Sequence, residues 1–202
     1  MPLQNRVIPT SEITSSNARG HYMGNRGILH NDSKELGIAR WKHKAWIICV
    51  LDFKKRQRRV MTPNRYTELF FYDEATALAA GHRPCAECQR KRFNDYQRYW
   101  KQAFAEQAKA GEMDHILHSK RVVSHSRQQV TINLPFQDIP NGCFLMYMGQ
   151  PHLKWGSQLH PWTWEGYENS IDIHSNGKLE MLTPVPSANV LHAGYQPDII
   201  GL

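Results

Sequence analysis

The rhythm of apolar and polar positions changes several times along the 202 residues of this chain. Residues 45–53 form a near-continuous apolar run rich in β-branched side chains, which predicts a buried strand. The basic turn after it suggests a hairpin, with residues 58–61 returning before Pro63 breaks the run. Residues 69–72 are a second strand-like run, apolar and aromatic, and Asp73 then stands where an N-cap accepts the free amides of a helix over 74–80. Gly81 is placed to end that helix in the left-handed conformation, and Pro84 keeps it from resuming. From about 87 to 109 the period lengthens. Phe93, Tyr96, Trp100 and Phe104 recur three and four apart, which predicts one long helix with that face in the core. A shorter helix over 113–120 follows Gly111, and the remainder reads as strands at 129–132, 143–148, 152–155 and 179–182. Residues 9–27, rich in Ser, Asn and Gly with little periodicity, read as an irregular loop region.

The skeleton Ala-x-x-Leu-x-Ala-Gly-x-x-Pro of residues 75–84 recurs at 188–197, each copy after a strand-like run. Either a strand–helix–Gly-cap unit occurs twice, or two helices have converged on one capping motif. The expected fold class is α+β: a single mixed domain, 1–202, of antiparallel strands with one long helix and a C-x-x-C knuckle. No Pro/Gly/Ser linker divides it, so 1–44 is an irregular N-terminal segment, 45–125 holds the strand–helix–knuckle and long helix, and 126–202 is β-rich.

A hydrophobic content of 41% with no apolar run of membrane-spanning length describes a globular chain. The first residues, Met-Pro-Leu-Gln-Asn-Arg, carry no apolar leader stretch, and four cysteines with two in one knuckle suit a reducing compartment; both point to the cytoplasm. The formal net charge is +7, and it is clustered. Lys54, Lys55, Arg56, Arg58 and Arg59 put five cations in six residues, and Arg90, Lys91, Arg92, Arg98 and Lys101 decorate the long helix. Such patches hold a polyanion through phosphate contacts and counterion release, which makes DNA the expected partner; the alternative is a solvated basic turn.

Candidate chemistry follows from residue types. Cys85 and Cys88 have the spacing at which two sulfurs hold one metal ion, expected as a structural zinc, and Cys49, His82, His115 and His118 are the nearest candidates to complete it. The alternative is two reduced thiols packed as small apolar groups. In the segment 19–30, three glycines allow backbone amides close to a ligand, Asn25 offers a donor and an acceptor, and Arg19 and Arg26 are placed to grip phosphate. Among carboxylates, Glu68 enters the aromatic strand beside a basic stretch, Asp114 opens a helix, and Asp32 lies in a loop. His118 with Arg121 offers a phosphate or leaving-group contact. Trp162 and Trp164 flank one threonine and so face one side of an extended segment, as a stacking wall for an exposed base requires. Pro2 becomes a secondary-amine nucleophile if Met1 is removed.

The string Phe71-Tyr72-x-x-x-x-Ala77-Leu78-Ala79-Ala80-Gly81-x-Arg83-Pro84-Cys85-x-x-Cys88 resembles the second half of the Ada-type metal-binding domain, a bacterial DNA-repair module that senses methylated phosphates with a zinc-bound cysteine. That family places its first two cysteines upstream, between an earlier strand and the aromatic strand, whereas residues 54–68 contain none. The resemblance therefore implies a local structure and a DNA-repair setting. Residues 1–7, 23–27 and 77–85 together also look like a family of small bacterial proteins associated with anti-phage glycosylases that excise modified cytosines. The expected function is a DNA glycosylase in which Glu68 or Asp114 supplies the carboxylate and Asn25 positions water or sugar. The alternatives are a zinc-stabilised nuclease built on Asp114, His115 and His118, or a non-catalytic DNA-binding module.

Overall fold

The computed structural model describes residues 1–55, 59–123, 126–173 and 177–202. Its first half builds a six-stranded sheet from β1 (Gln4–Val7), β2 (Ile13–Ser15), β3 (Tyr22–Asn25), β4 (Ile47–Val50), β5 (Leu69–Phe71) and β6 (Arg83–Pro84), in the order β2-β1-β5-β3-β4-β6. The pairs β1/β5 and β4/β6 are parallel and the rest antiparallel. Three helices belong to the same half: α1 (Glu74–Ala79), between β5 and β6, then α2 (Arg90–Phe104) and α3 (Ala110–Arg121). The second half is an antiparallel sheet of β7 (Ile132–Pro135), β8 (Phe144–Tyr147), β9 (Gln150–Trp155), β10 (Gln158–Thr163), β11 (Gly166–Tyr167), β12 (Ile171–Asp172) and β13 (Lys178–Met181), closed by helix α4 (Val185–His192). The fold is α+β. One hydrophobic cluster runs through both halves, with Val7, Ile48, Leu69 and Phe71 of the first sheet, Leu145, Leu159 and Met181 of the second, and Tyr96 and Trp100 of α2. No helix among the described residues is long and apolar enough to cross a membrane.

The expected strand, helix, glycine stop and knuckle at 69–88 are present. Asp73 caps α1 by accepting the Thr76 amide at 2.8 Å. At the other end Gly81 takes φ +86°, its amide reaches Leu78 O, and His82 N reaches Ala77 O, the two bonds of a Schellman cap. The echo after α4 repeats the pattern atom for atom: Gly194 at φ +115° donates to Leu191 O, and Tyr195 N to Val190 O. The echo is therefore structural at the cap. The two units also touch, because the buried Glu74 carboxylate accepts from Tyr195 Oη, the Asp198 amide and Arg92.

Two expectations are corrected. The N-terminal segment is not irregular: 4–7 and 13–15 are β1 and β2, paired at one edge of the sheet, and 22–25 is β3, in the middle of the sheet between β5 and β4. Its glycine serves close approach, since a Cβ on Gly24 would sit 2.2 Å from Ile47 O and 2.9 Å from the Phe71 ring. The hairpin expected after β4 does not form as such. β4 ends at Val50, Lys54 and Lys55 both adopt φ +55°, which breaks extended backbone, and β4 pairs instead with β3 and β6. Smaller shifts affect β7, which starts at Ile132 where a strand over 129–132 was expected, and α2, which stops at Phe104 where Ala105 turns left-handed at φ 56°.

Candidate metal centre and its cavity

Side chains alternate faces along a strand, and the alternation in β3, β4 and β5 separates core from site. Gly24, Ile48, Leu69 and Phe71 face inward towards the helices. Met23, Asn25, Ile47, Cys49, Glu68 and Phe70 share the opposite face and line a cavity of about 390 Å³. In the ladder Met23 pairs with both Cys49 and Phe70, and Asn25 pairs with Ile47. Continuing the β3/β5 register by one residue sets Asn25 opposite Glu68. Phe53, Val60 and Tyr66 supply further walls, and Cys85, Glu87 and Cys88 complete the lining.

The knuckle reaches β4 through backbone bonds. Cys85 N donates to Ile48 O at 2.9 Å, and the Gln89 side-chain amide donates to the same oxygen at 2.9 Å, which fixes the turn beside Cys49. The ligand atoms of Cys49, Cys85 and Cys88 consequently lie within 4.8 Å of one another. All three are free thiols. Hydrogen bonds from Cys49 and Cys88, together with the Glu87 amide 3.4 Å from its sulfur, hold the Cys85 thiol well below its ordinary range, to about 2, while Cys49 is pushed up by the same contact. Three thiols of this geometry can hold one metal ion, and a donor set made wholly of sulfur suits a soft or borderline cation.

Of the candidate ligands, Cys49 joins the knuckle and the histidines do not. His82 is fully buried on the core face, bonded to Arg26 Nε at 3.3 Å and packed on Phe71 and Trp46. His115 is exposed beside Lys44 Nζ, and His118 lies edge-on to Trp41 and Trp46.

Of the candidate carboxylates, Glu68 and Asp114 are both buried, at 3% and 5% exposure. Glu68 Oε2 accepts the Met61 amide at 2.8 Å and the residue faces the cavity. Asp114 is gripped through both oxygens by Arg83, at 2.8 and 2.7 Å, away from the cavity. Asn25 Oδ1 accepts from the Gly27 amide at 3.3 Å and lies 3.1 Å from His43 Nε2, so the amide nitrogen has no part in these two contacts. Asp114, His115 and His118 form no metal-binding group among the described residues, and neither Asp32 nor Pro2 lines the cavity.

The expected phosphate contacts divide. Arg19, Lys54, Lys55 and Arg59 are exposed, and the last three belong to a segment bracketed by the cavity walls Phe53 and Val60; Arg56 and Arg58 lie outside the described residues. Arg26 and Arg121 stand apart from these, lining a different cavity, of about 690 Å³, with Arg40 and Arg127. Arg26 and Arg121 are each 1% exposed, stacked on Trp46 at 4.0 and 3.9 Å, and bonded to carbonyls: Arg26 to Ser11 O and Ala80 O, Arg121 to Gly81 O and Lys44 O. They brace the C-terminal end of α1, where carbonyls lack helical donors. Trp162 and Trp164 do not line the cavity over β3, β4 and β5. They stand in and beside β10, ring centroids 5.2 Å apart, with Trp162 buried against Tyr72, Phe144 and Leu182.

No family model, curated protein or solved structure matches this chain.

Residues that the sequence did not single out are the walls Phe53, Tyr66 and Phe70, and His43 behind Asn25.

Proposed function

We propose that this protein binds DNA and hydrolyses the N-glycosidic bond of a modified base, with the cavity over β3, β4 and β5 as its reaction pocket. The observation that carries the proposal is the convergence of Asn25 and Glu68, distant in sequence, at one apolar cavity of about 390 Å³. A base swung out of the helix needs such a pocket: flat apolar walls, here Phe53, Tyr66 and Phe70, and a few polar groups to fix its orientation. Glu68 is the carboxylate. Buried and held by the Met61 amide, it stabilises developing positive charge on the sugar, takes the proton of the water that bonds to the anomeric carbon and passes it to the base nitrogen whose bond to that carbon breaks, while Asn25 donates an amide hydrogen bond to the base or the water. Lys54, Lys55 and Arg59 border the pocket and hold the backbone on either side of the extruded nucleotide. The similarity of residues 69–88 to the Ada-type module also supports a DNA partner. The ion on the three cysteines is zinc, and reduced thiols suit a protein of the cytoplasm.

Mass spectrometry of bases released from modified phage DNA and from unmodified DNA tests this reading. The parent protein should release base and leave alkali-labile abasic sites, and Glu68→Gln should lower the rate by about 10²–10⁴-fold with DNA binding retained. Absence of released base from every modified DNA overturns the glycosylase; release at the parent rate by Glu68→Gln overturns the role of Glu68.

A further inference from the structure

A tetrahedral ion needs four donors, and the described residues offer three. No fourth His, Cys, Asp or Glu joins Cys49, Cys85 and Cys88 among them. Glu87, on the same turn, extends to Lys54 Nζ at 3.9 Å with its side chain 59% exposed. All three cysteines line the cavity, and the walls nearest Cys49 in the ladder and along β4 are the apolar side chains of Met23, Ile47, Val50 and Phe70. These side chains bring no oxygen or nitrogen donor to the ion.

The row of Asn25, Ile47 and Glu68 runs parallel to the row of Phe70, Met23 and Cys49, two residues along each strand. That offset is about 7 Å. One planar heterocycle spans it. We propose that the ion on Cys49, Cys85 and Cys88 keeps its fourth coordination position for a ligand from the cavity, a ring nitrogen or carbonyl oxygen of a planar heterocycle held at its far end by Asn25 and Glu68. The centre is then part of the substrate pocket, where the ion polarises the bonded heteroatom, and not a structural staple alone. That the natural heterocycle is a nucleobase rests on the proposed function; the open position does not.

The experiment uses the full chain loaded with cobalt(II) in place of its native ion and titrated with imidazole as a planar nitrogen donor. Thiolate-to-cobalt charge transfer reports the sulfurs, and the ligand-field bands report the fourth donor. The expected result is a saturable shift of the ligand-field bands with the charge-transfer bands retained, and in Cys49→Ser a loss of about one third of the charge-transfer intensity, as three thiolates require. Three results overturn the proposal: no retained cobalt, charge transfer of four-thiolate intensity, or ligand-field bands that stay fixed through the titration. Because the readout needs no DNA, a protein that passes this test yet releases no base separates the open metal position from the glycosylase reading.

Discussion

The carboxylates of Glu68 and Asp114 are buried to a similar degree, yet their partners give them opposite chemistry. Asp114 accepts two bonds from one guanidinium and closes an ion pair whose side chains are 4% and 7% exposed; breaking such a pair strands a buried charge, so its role is to hold α3 against β6. Glu68 accepts a backbone amide and has a cavity in front of it. His118 shows the same dependence on neighbours. Burial, and then the Arg121 guanidinium 3.2 Å from its Nδ1, lower its pKa from the usual histidine value to about 4. His82 is lowered as well, first by burial and then by Arg26. In both cases the folded state resists a proton that the unfolded chain accepts, so stability is full above about pH 6.5 and falls as pH drops towards 4. Denaturant unfolding at pH 7 and pH 4.5 should show this loss, and His118→Asn should reduce it. A pH dependence identical in the variant would exclude His118 as a source.

Elements are joined here by their ends. The Schellman caps after α1 and α4 turn the chain with the same two backbone bonds, and the Gly81 cap delivers Arg83 to its ion pair and Cys85 to the cysteine cluster. An added Cβ at Gly81 meets a strained φ of +86° and an Arg121 side-chain carbon at 2.7 Å. At Gly149, between β8 and β9, φ is a similar +82° with nothing within 4 Å. Gly149→Ala should therefore cost about 1–2 kcal/mol, the penalty of a left-handed residue alone. Gly81→Ala should cost more, because the neighbour it strikes is itself pinned to Gly81 O and Lys44 O. Urea midpoints of the two variants give the comparison, and equal destabilisation would show that Arg121 yields freely.

For the whole molecule, Lys54 and Lys55 are exposed in the segment between the cavity walls Phe53 and Val60. Replacing Lys54 and Lys55 by glutamine should weaken DNA binding alike for all sequences and flatten the log–log salt dependence by about two units, one for each phosphate no longer neutralised. An unchanged slope would return these lysines to a solvated turn. At this scale sequence and structure divide the explanation by the range of the interactions. Local signals were legible: Asp73 as a cap, Gly81 as a stop, the aromatic face of α2, and the spacing of Cys85 and Cys88 all act within a few residues, where propensity and periodicity hold. The central strand β3 was not legible, because its Gly24 is demanded by the approach of Ile47 O and the Phe71 ring across the sheet, and in one dimension it looks like part of a loop. The charge of Arg26 and Arg121 is visible in sequence, and their burial among backbone carbonyls is not. That Cys49 stands beside Cys85, and Asn25 beside Glu68, is a matter of strand register. Register is set by which faces the core buries, so only the folded sheet brings these residues to one cavity.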